Sequence, residues 1–384
     1  MLFLIFIDPM AGIYIHIPFC KKACNYCNFH FSTNHQLMDE MLNAIVIEMA
    51  LQKSYLSEPI ETIYFGGGTP SLLNPKQLER ILAAIHHHFD CSAQVELTLE
   101  ANPDDMHSAQ LAAWVRLGIN RLSIGIQSFR EEDLAWMGRA HNAVQALESI
   151  QMAQKAGIQN ISIDLIYGGP TLSDTDWINN LTLAFKTGVP HLSCYALTVE
   201  PKTALAHKIK QQQLPDVDAA HQARHFSILQ EMAAAAGFEQ YEISNFALPN
   251  QRSRHNANYW SGKHYLGIGP SAHSFNGQSR QWNISNNALY IQALLNGSIP
   301  SEMEILTQTQ QVNEYIMTAL RTMEGIDANR LNAIAGKPLF NQLVSDAQHY
   351  IQQGLVKHYA DQLSLSANGR FMADGIAAHL FRDE

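Results

Sequence analysis

Short apolar runs rich in β-branched residues alternate with longer amphipathic ones along the first half of this chain, and that alternation leaves few folds open. The short runs fall at 12–17, 62–65, 94–100, 121–127, 161–166 and 192–198, each bounded by turn residues. Between them, 37–51, 76–88, 108–117, 143–156 and 174–187 carry apolar residues at helical spacing. Strand and helix in succession predict parallel strands joined by right-handed crossovers. The expected architecture is α/β: a partial (β/α)6 TIM-like barrel with its functional residues on the loops after the strands.

Past residue 210 the pattern changes. Gln211 to Gln213 with Pro215 read as a linker, 219–236 as a helix and 240–246 as a further strand at the barrel edge. From residue 308 onward helices follow one another up to a short stretch, 355–365, around Asp361, which predicts a mainly helical, winged-helix-like C-terminal domain. Clustered basic residues are few there, so packing over the barrel is expected rather than DNA binding. The predicted division is an N-terminal extension at 1–11, a barrel at 12–245, a connecting segment at 246–307 and the C-terminal domain at 308–384.

Composition narrows the function classes. A chain of 384 residues, 46% of them hydrophobic, can bury a large core. A net charge of -10 argues against a broad nucleic-acid surface, whose affinity rests on neutralising phosphates. The apolar start, Leu2 to Ile7, is too short to span a bilayer and lacks the basic flank of a signal peptide, and Met10 offers an alternative start. No other stretch reaches transmembrane length, so a cytoplasmic protein is expected.

Three of the 5 cysteines, Cys20, Cys24 and Cys27, fall in the loop after the first predicted strand. A cubane cluster takes four cysteinates and a structural zinc four protein ligands, so three thiolates leave one position open. The spacing reads as a 4Fe-4S cluster with one free iron. On the residues alone, zinc with His30 or His35 as fourth ligand, or chance clustering, stays open. A disulfide framework fits poorly with so few cysteines. Cys91 and Cys194 read as ordinary buried residues.

The string from Tyr14 through His16-Ile17-Pro18-Phe19-Cys20 to Cys24-Asn25-Tyr26-Cys27 resembles the radical S-adenosylmethionine superfamily. Within it, the chain resembles the oxygen-independent coproporphyrinogen III oxidase-like family, which includes the HemW-type heme chaperones. The resemblance implies that the open iron binds S-adenosylmethionine and that the reduced cluster cleaves its sulfonium to a 5′-deoxyadenosyl radical.

The same resemblance assigns a cofactor site. Gly66-Gly67-Gly68-Thr69-Pro70 follows the second strand, where glycines permit close backbone approach; a plain βα turn accounts for it equally. The family's pattern places Gly67, Gly68 and Thr69 at the methionine amino group, and Glu100, at a strand end, on the ribose hydroxyls. It also assigns Tyr14, Gln127, Arg139 and Asp164 to the cofactor surroundings. Asp164 is flanked by apolar strand residues and needs a partner if buried. Arg139 is one candidate, in a purely structural pairing.

Two features separate the family's branches. The oxidases generally carry a fourth cysteine two positions after the third; here that residue is Phe29. Arg254-His255-Asn256-Ala257-Asn258-Tyr259-Trp260 matches the His-Asn-x-x-Tyr-Trp signature of the HemW group, which implies His255 as a heme-iron ligand, with neighbouring aromatics available to a porphyrin face. A lone histidine beside aromatics is more often a satisfied loop residue. The run His86-His87-His88 reads as a solvated helix face, and His16 as a packing residue near the cluster. The reading is a heme chaperone that binds heme and passes it to a recipient apo heme protein, with respiratory enzymes implied by the family. No turnover is required of it, and a homodimer and transient membrane-protein contact are left open. The alternative is an oxygen-independent coproporphyrinogen III oxidase that decarboxylates propionate side chains.

Overall fold

The structure, a computed structural model, describes residues 10–383, so the apolar start and most of the expected extension lie outside the described residues. Six parallel strands form its centre: β1 (Ala11–Ile17), β2 (Ile60–Gly67), β3 (Cys91–Ala101), β4 (Arg121–Gln127), β5 (Asn160–Tyr167) and β6 (His191–Ala196). They alternate with α1 (Met38–Leu51), α2 (Pro75–His88), α3 (Ser108–Arg116), α4 (Glu131–Met137), α5 (Ala143–Lys155) and α6 (Asp174–Lys186). All the predicted elements of this stretch are present with slightly shifted ends, and α4 is an addition. Side-chain capping starts several helices where the sequence changes character. Asn74 and Gln77 form a capping box for α2, Asn142 and Gln145 one for α5, and Ser173 caps α6.

Period-two alternation sorts each strand's residues. Ile13, Ile15 and Ile17 on β1, with Ile63 and Phe65 on β2, belong to the main apolar core. Gly12, Tyr14 and His16, with Thr62, Tyr64 and Gly66, take the other face, which lines the barrel interior. That interior is polar and aromatic, and it carries the candidate chemistry.

The sheet continues beyond β6. After α7 (Ala204–Lys210) and α8 (Ala219–Ala235), the single strand predicted at 240–246 is two short antiparallel ones, β7 (Glu239–Gln240) and β8 (Asn245–Ala247). The turn between them is held by Glu242, whose carboxylate accepts from the Ser244 amide at 2.9 Å. Next come α9 (Arg254–Ser261), β9 (Tyr265–Ile268), β10 (His273–Phe275), β11 (Ser279–Asn283), α10 (Asn287–Leu295) and β12 (Ser301–Ile305). β9 pairs parallel to β1, so residues read as a connection are part of the 12-stranded sheet. Among the described strands its order is linear, with β12 and β7 at the two edges.

The C-terminal region comprises α11 (Gln308–Leu320), β13 (Ile326–Asp327), α12 (Ala328–Ala335), α13 (Phe340–Asp346), α14 (Gln348–Gln352), and the hairpin β14 (Val356–Tyr359) and β15 (Gln362–Leu365) around Asp361. Leu320, Ile326, Leu331, Leu343, Leu363 and Ile376 belong to an apolar cluster of their own. Among the described residues, no helix is long and apolar enough to cross a membrane.

Candidate cofactor cavity and barrel floor

The loop after β1 carries the three cysteines, and the glycine loop after β2 is wedged against its root. A side chain on Gly68 would lie 2.6 Å from the Phe19 carbonyl oxygen and 2.8 Å from that of Ile17. One on Gly67, whose φ is +103°, would strike the His16 ring at 2.6 Å. The glycines are thus required first by the packing of the two loops, and through it they reach the cavity wall. His16 donates to or accepts from its surroundings at both ring nitrogens, Nε2 meeting the His30 carbonyl at 2.9 Å and Nδ1 the Tyr14 hydroxyl at 3.2 Å.

A cavity of about 460 Å3 opens at the C-terminal ends of the strands. Cys27, Gly67, Gly68, Thr69, Glu100, Gln127, Arg139 and Asp164 all line it. Gln127 holds a left-handed backbone, φ 67°, at the irregular end of β4; such conformations cost about 1–3 kcal/mol and cluster at functional sites. Phe29 stands at the rim, 72% exposed. Tyr14 lies outside the wall, one layer down, its ring alongside those of Tyr64 and His255.

Two half-buried carboxylates face the cavity. Burial, reinforced by the charge of Asp164, pushes Glu100 up to about 8, even though the Tyr64 hydroxyl donates to it at 2.8 Å. Burial likewise raises Asp164 to about 6, opposed by Ser123, which donates to it at 3.2 Å. The anticipated pairing of Asp164 with Arg139 is not formed. Arg139 instead donates to Asn102 Oδ1 at 2.7 Å, the Gly125 carbonyl at 2.8 Å and Cys24 Sγ at 3.4 Å, because the loop between α4 and α5 that carries it lies against the cysteine loop.

The opposite end of the barrel is closed by α9. Both amides at its start donate to Glu96 of β3, Arg254 N at 3.1 Å and His255 N at 3.0 Å, a carboxylate where the helix dipole favours one. Asn258 Nδ2 and Lys263 Nζ donate to Glu61. The His255 ring is 2% exposed and stacks on Tyr64 at 4.9 Å. Its Nδ1 meets Thr62 Oγ1 at 2.8 Å and its Nε2 the Tyr259 hydroxyl at 3.0 Å. Burial, with Arg121 adding, lowers its pKa to about 3, so the imidazole is neutral. Trp260 takes the other face of α9, in a pocket of about 270 Å3 shared with Tyr315 and Arg330. His255 and Trp260 are therefore not brought together.

Comparison with known proteins matches residues 14–184 to the Radical SAM superfamily and 306–372 to the HemN C-terminal domain. The chain is 33% identical over 375 residues to a Mycobacterium tuberculosis protein named Heme chaperone HemW, covering 96% of this chain and 94% of that one. The Bacillus subtilis protein of that name is 32% identical over 371 residues, covering 96% and 98%. The chain belongs to the HemW family. The Escherichia coli coproporphyrinogen III oxidase HemN, a solved radical SAM enzyme, superposes with a TM-score of 0.85 over 97% of this chain and 90% of its own, at 21% identity. That likeness establishes the shared fold.

Membership in the HemW family and its superfamily implies an iron–sulfur cluster and S-adenosylmethionine, and the residues present fit both. All five cysteines are free. A tetrahedral zinc with Zn–S bonds of ~2.3 Å would draw its sulfurs to about 3.8 Å, but the three thiols do not converge as a group within 4.8 Å. His30 and His35 turn their Nε2 atoms to Asn287 and to the Cys20 carbonyl. Burial holds the Cys20 and Cys27 thiols above their usual range, as expected where a metal is needed to stabilise the thiolate.

Among the described residues of this HemW-family chain, a cluster of metal-type ligands lies elsewhere: Asp174 of α6 with His221 and His225 of α8. The Gly168 amide donates to His225 Nδ1 at 3.1 Å, and an amide can only donate, so the neutral ring carries its proton on Nε2, toward Asp174 at 3.2 Å. The group ties α8 to the loop after β5, and His225 turns no lone pair toward Asp174. Sequence reasoning missed Tyr64, Glu96, Asn102 and Ser123. For Tyr64 and Ser123 the signal was available, since each lies two residues before a glycine on a strand's inner face.

Proposed function

We propose that this protein is a cytoplasmic heme chaperone, which binds heme and passes it to a recipient apo heme protein, respiratory enzymes being the class implied by family resemblance. The observation that carries the reading is end-to-end similarity to proteins bearing that name, a match that spans both the cavity and α9. Phe29 at the rim, where the oxidases generally have a fourth cysteine, supports it. Of the expected division, a C-terminal domain at 308–384 is part of the proposal, while 246–307 is taken with 12–245 because it supplies β9–β12 of the same sheet.

In this reading Cys20, Cys24 and Cys27 hold a 4Fe-4S cluster, and Gly67, Gly68, Thr69, Glu100, Gln127, Arg139 and Asp164 surround S-adenosylmethionine, with Tyr14 supporting them from below. When bound, the pair supplies one-electron reductive chemistry. Arg139 donates to Cys24 Sγ, so a guanidinium stands beside that ligand. Glu100 and Asp164 accept hydrogen bonds from a nucleoside, and donors supplied by the ligand favour their charged forms.

His255 is proposed as the heme-iron ligand, in a state with α9 lifted from the floor. With Nδ1–H given to Thr62, Nε2 turns its lone pair to the Tyr259 hydroxyl, so a neutral imidazole is already oriented by a second partner, as ligating histidines usually are. Tyr259 is then a displaceable cap. The deciding experiment is anaerobic reconstitution, loading with heme and mixing with an apo cytochrome. Heme transfer without turnover is the expected result. Decarboxylated product from coproporphyrinogen III at turnover rates would overturn the chaperone reading in favour of the oxidase.

A further inference from the structure

α9 has two faces with different tasks. Residues 255, 258 and 259, spaced as one side of a helix, meet the barrel floor: His255 on Thr62, Asn258 on Glu61, and the Tyr259 hydroxyl on His255 Nε2. Ala257, Trp260 and Ser261 take the outer side and line the pocket of about 270 Å3, whose far wall includes Tyr315 and Ala319 of α11 and Arg330 of α12. Trp260 belongs to the signature around His255, yet it serves the outer face. Protein interiors are close-packed, so a space of this size directly behind a helix has to be accounted for.

The wall behind the pocket is fixed independently of α9. Met323 N donates to the Tyr241 carbonyl at 3.0 Å, Arg370 donates to Gln240 Oε1 at 2.6 Å, and Arg280 of β11 pairs with Glu314 of α11. The C-terminal region is therefore anchored to the sheet near β7 and at β11 without help from α9. Its hold on the helix is lighter. The Arg321 guanidinium lies 5.2 Å from the Trp260 ring, Arg330 donates to the Ser261 carbonyl at the helix end, and Arg252, just before the helix, pairs with Glu324 at 2.7 Å. Arg252 and Glu324 are 33% and 56% exposed, and such surface pairs hold weakly. α9 thus occupies a slot with a closed floor, a fixed back wall and free space only on the outer side.

We propose that this pocket is the space into which α9 shifts when His255 takes a heme iron, and that Trp260 is the positioning residue that travels into it. The inference rests on the reading of His255 as the heme ligand. An iron on His255 Nε2 has to displace the Tyr259 hydroxyl, and a porphyrin plane needs clearance that a ring 2% exposed does not offer. The helix has no room inward, where Thr62 and Tyr64 already meet the His255 ring. Outward, its travel is limited by short connections, residues 248–253 to β8 and 262–264 to β9. Helix shifts of about 1–2 Å are a common scale for such switches, and the pocket absorbs one without moving the C-terminal region. Heme then selects the shifted state, and whatever fills the pocket selects against it.

The test uses the full chain, anaerobically reconstituted, as wild type, Ala257→Phe, Ala319→Leu and Trp260→Ala. Heme is titrated by its Soret absorbance, and hydrogen exchange of the 254–261 amides in the heme-free protein gives a readout that needs no heme. Ala257→Phe and Ala319→Leu fill the pocket from opposite walls. Each should slow that exchange and weaken heme binding about tenfold, because the competent fraction falls, with cluster absorbance retained. Trp260→Ala enlarges the pocket and should speed exchange and tighten heme binding severalfold. Wild-type heme affinity in both filled variants would overturn the proposal. So would loss of folding in both, which would show that the space is not free. Heme binding at full affinity by His255→Ala would instead overturn the ligand assignment on which the proposal rests.

Discussion

The ring of His255 lies nearly parallel to that of Tyr64, 4.9 Å between centroids, while the Tyr64 hydroxyl donates to Glu100 at 2.8 Å. One tyrosine thereby touches the family's signature histidine on the barrel floor and the carboxylate in the cavity wall. Substitutions at either end of this column should be felt at the other.

Tyr64→Phe keeps the stack and removes the donor that holds Glu100 down. The Glu100 pKa should rise further, and S-adenosylmethionine should bind roughly three- to tenfold more weakly at neutral pH, the equivalent of one ordinary hydrogen bond of about 1 kcal/mol. Calorimetry on the reconstituted protein checks this; an unchanged affinity would show that Tyr64 does not tune the wall.

The raised Glu100 pKa makes stability depend on pH in a definite direction. A carboxyl raised to about 8 from its usual 4.5 gives its full stabilising contribution below the unfolded value and loses it as pH climbs through the folded one. Buried His191 and His255 act oppositely, but only below their unfolded pKa of about 6.5. Between about pH 6.5 and 8, therefore, the cluster-free protein should lose melting temperature, and Glu100→Gln should flatten that slope. A flat wild-type profile over this window would contradict the burial of an ionisable Glu100.

Gly68→Ala places a methyl group against two backbone carbonyls that no side-chain movement can clear. A loss of about 2–3 kcal/mol and poor cluster loading are expected, read by denaturant melts and by iron content. Gly375, with nothing within 4 Å of a built Cβ, is the control; Gly375→Ala should be neutral or gain up to about 1 kcal/mol.

Heme binding probes α9. Tyr259→Phe uncaps His255 Nε2 and should tighten heme binding severalfold, whereas His255→Ala should abolish the axially ligated spectrum. Glu96→Gln weakens the charged acceptor for both N-terminal amides of α9, at a cost of roughly 1–2 kcal/mol, and should also favour heme by loosening the floor. Heme binding at full affinity by His255→Ala would remove this histidine from consideration as the ligand.

The parallel centre was legible in the sequence because strands buried on one face by helices read as short apolar runs with glycine at their ends. Cysteine spacing and strand-end polar residues likewise pointed to a single cavity, and seven of those residues line it together with Cys27. The sheet extension β9–β12 was not legible. Its inner positions are Ser274, Gln281 and Asn283, buried polar residues that do not read as a strand's apolar face, and Asn283 is satisfied by Glu48, 235 positions away. The burial of Arg121, 1% exposed, was hidden for a related reason. An arginine opening a strand looks like a surface terminus until the helix that seals that end is known, and α9 arrives from another part of the chain.

That late arrival bears on how the protein is made. Glu96 waits 158 positions for the Arg254 amide, and Glu61 waits 197 for Asn258. During synthesis the six parallel strands emerge before the segment that covers their N-terminal ends, so the floor carboxylates of the nascent sheet face solvent. Closure comes only when Lys263 has cleared the ribosome. Until then the cysteine loop at the other end belongs to a scaffold without its floor, and the order of the chain itself sets the earliest moment at which that floor can close.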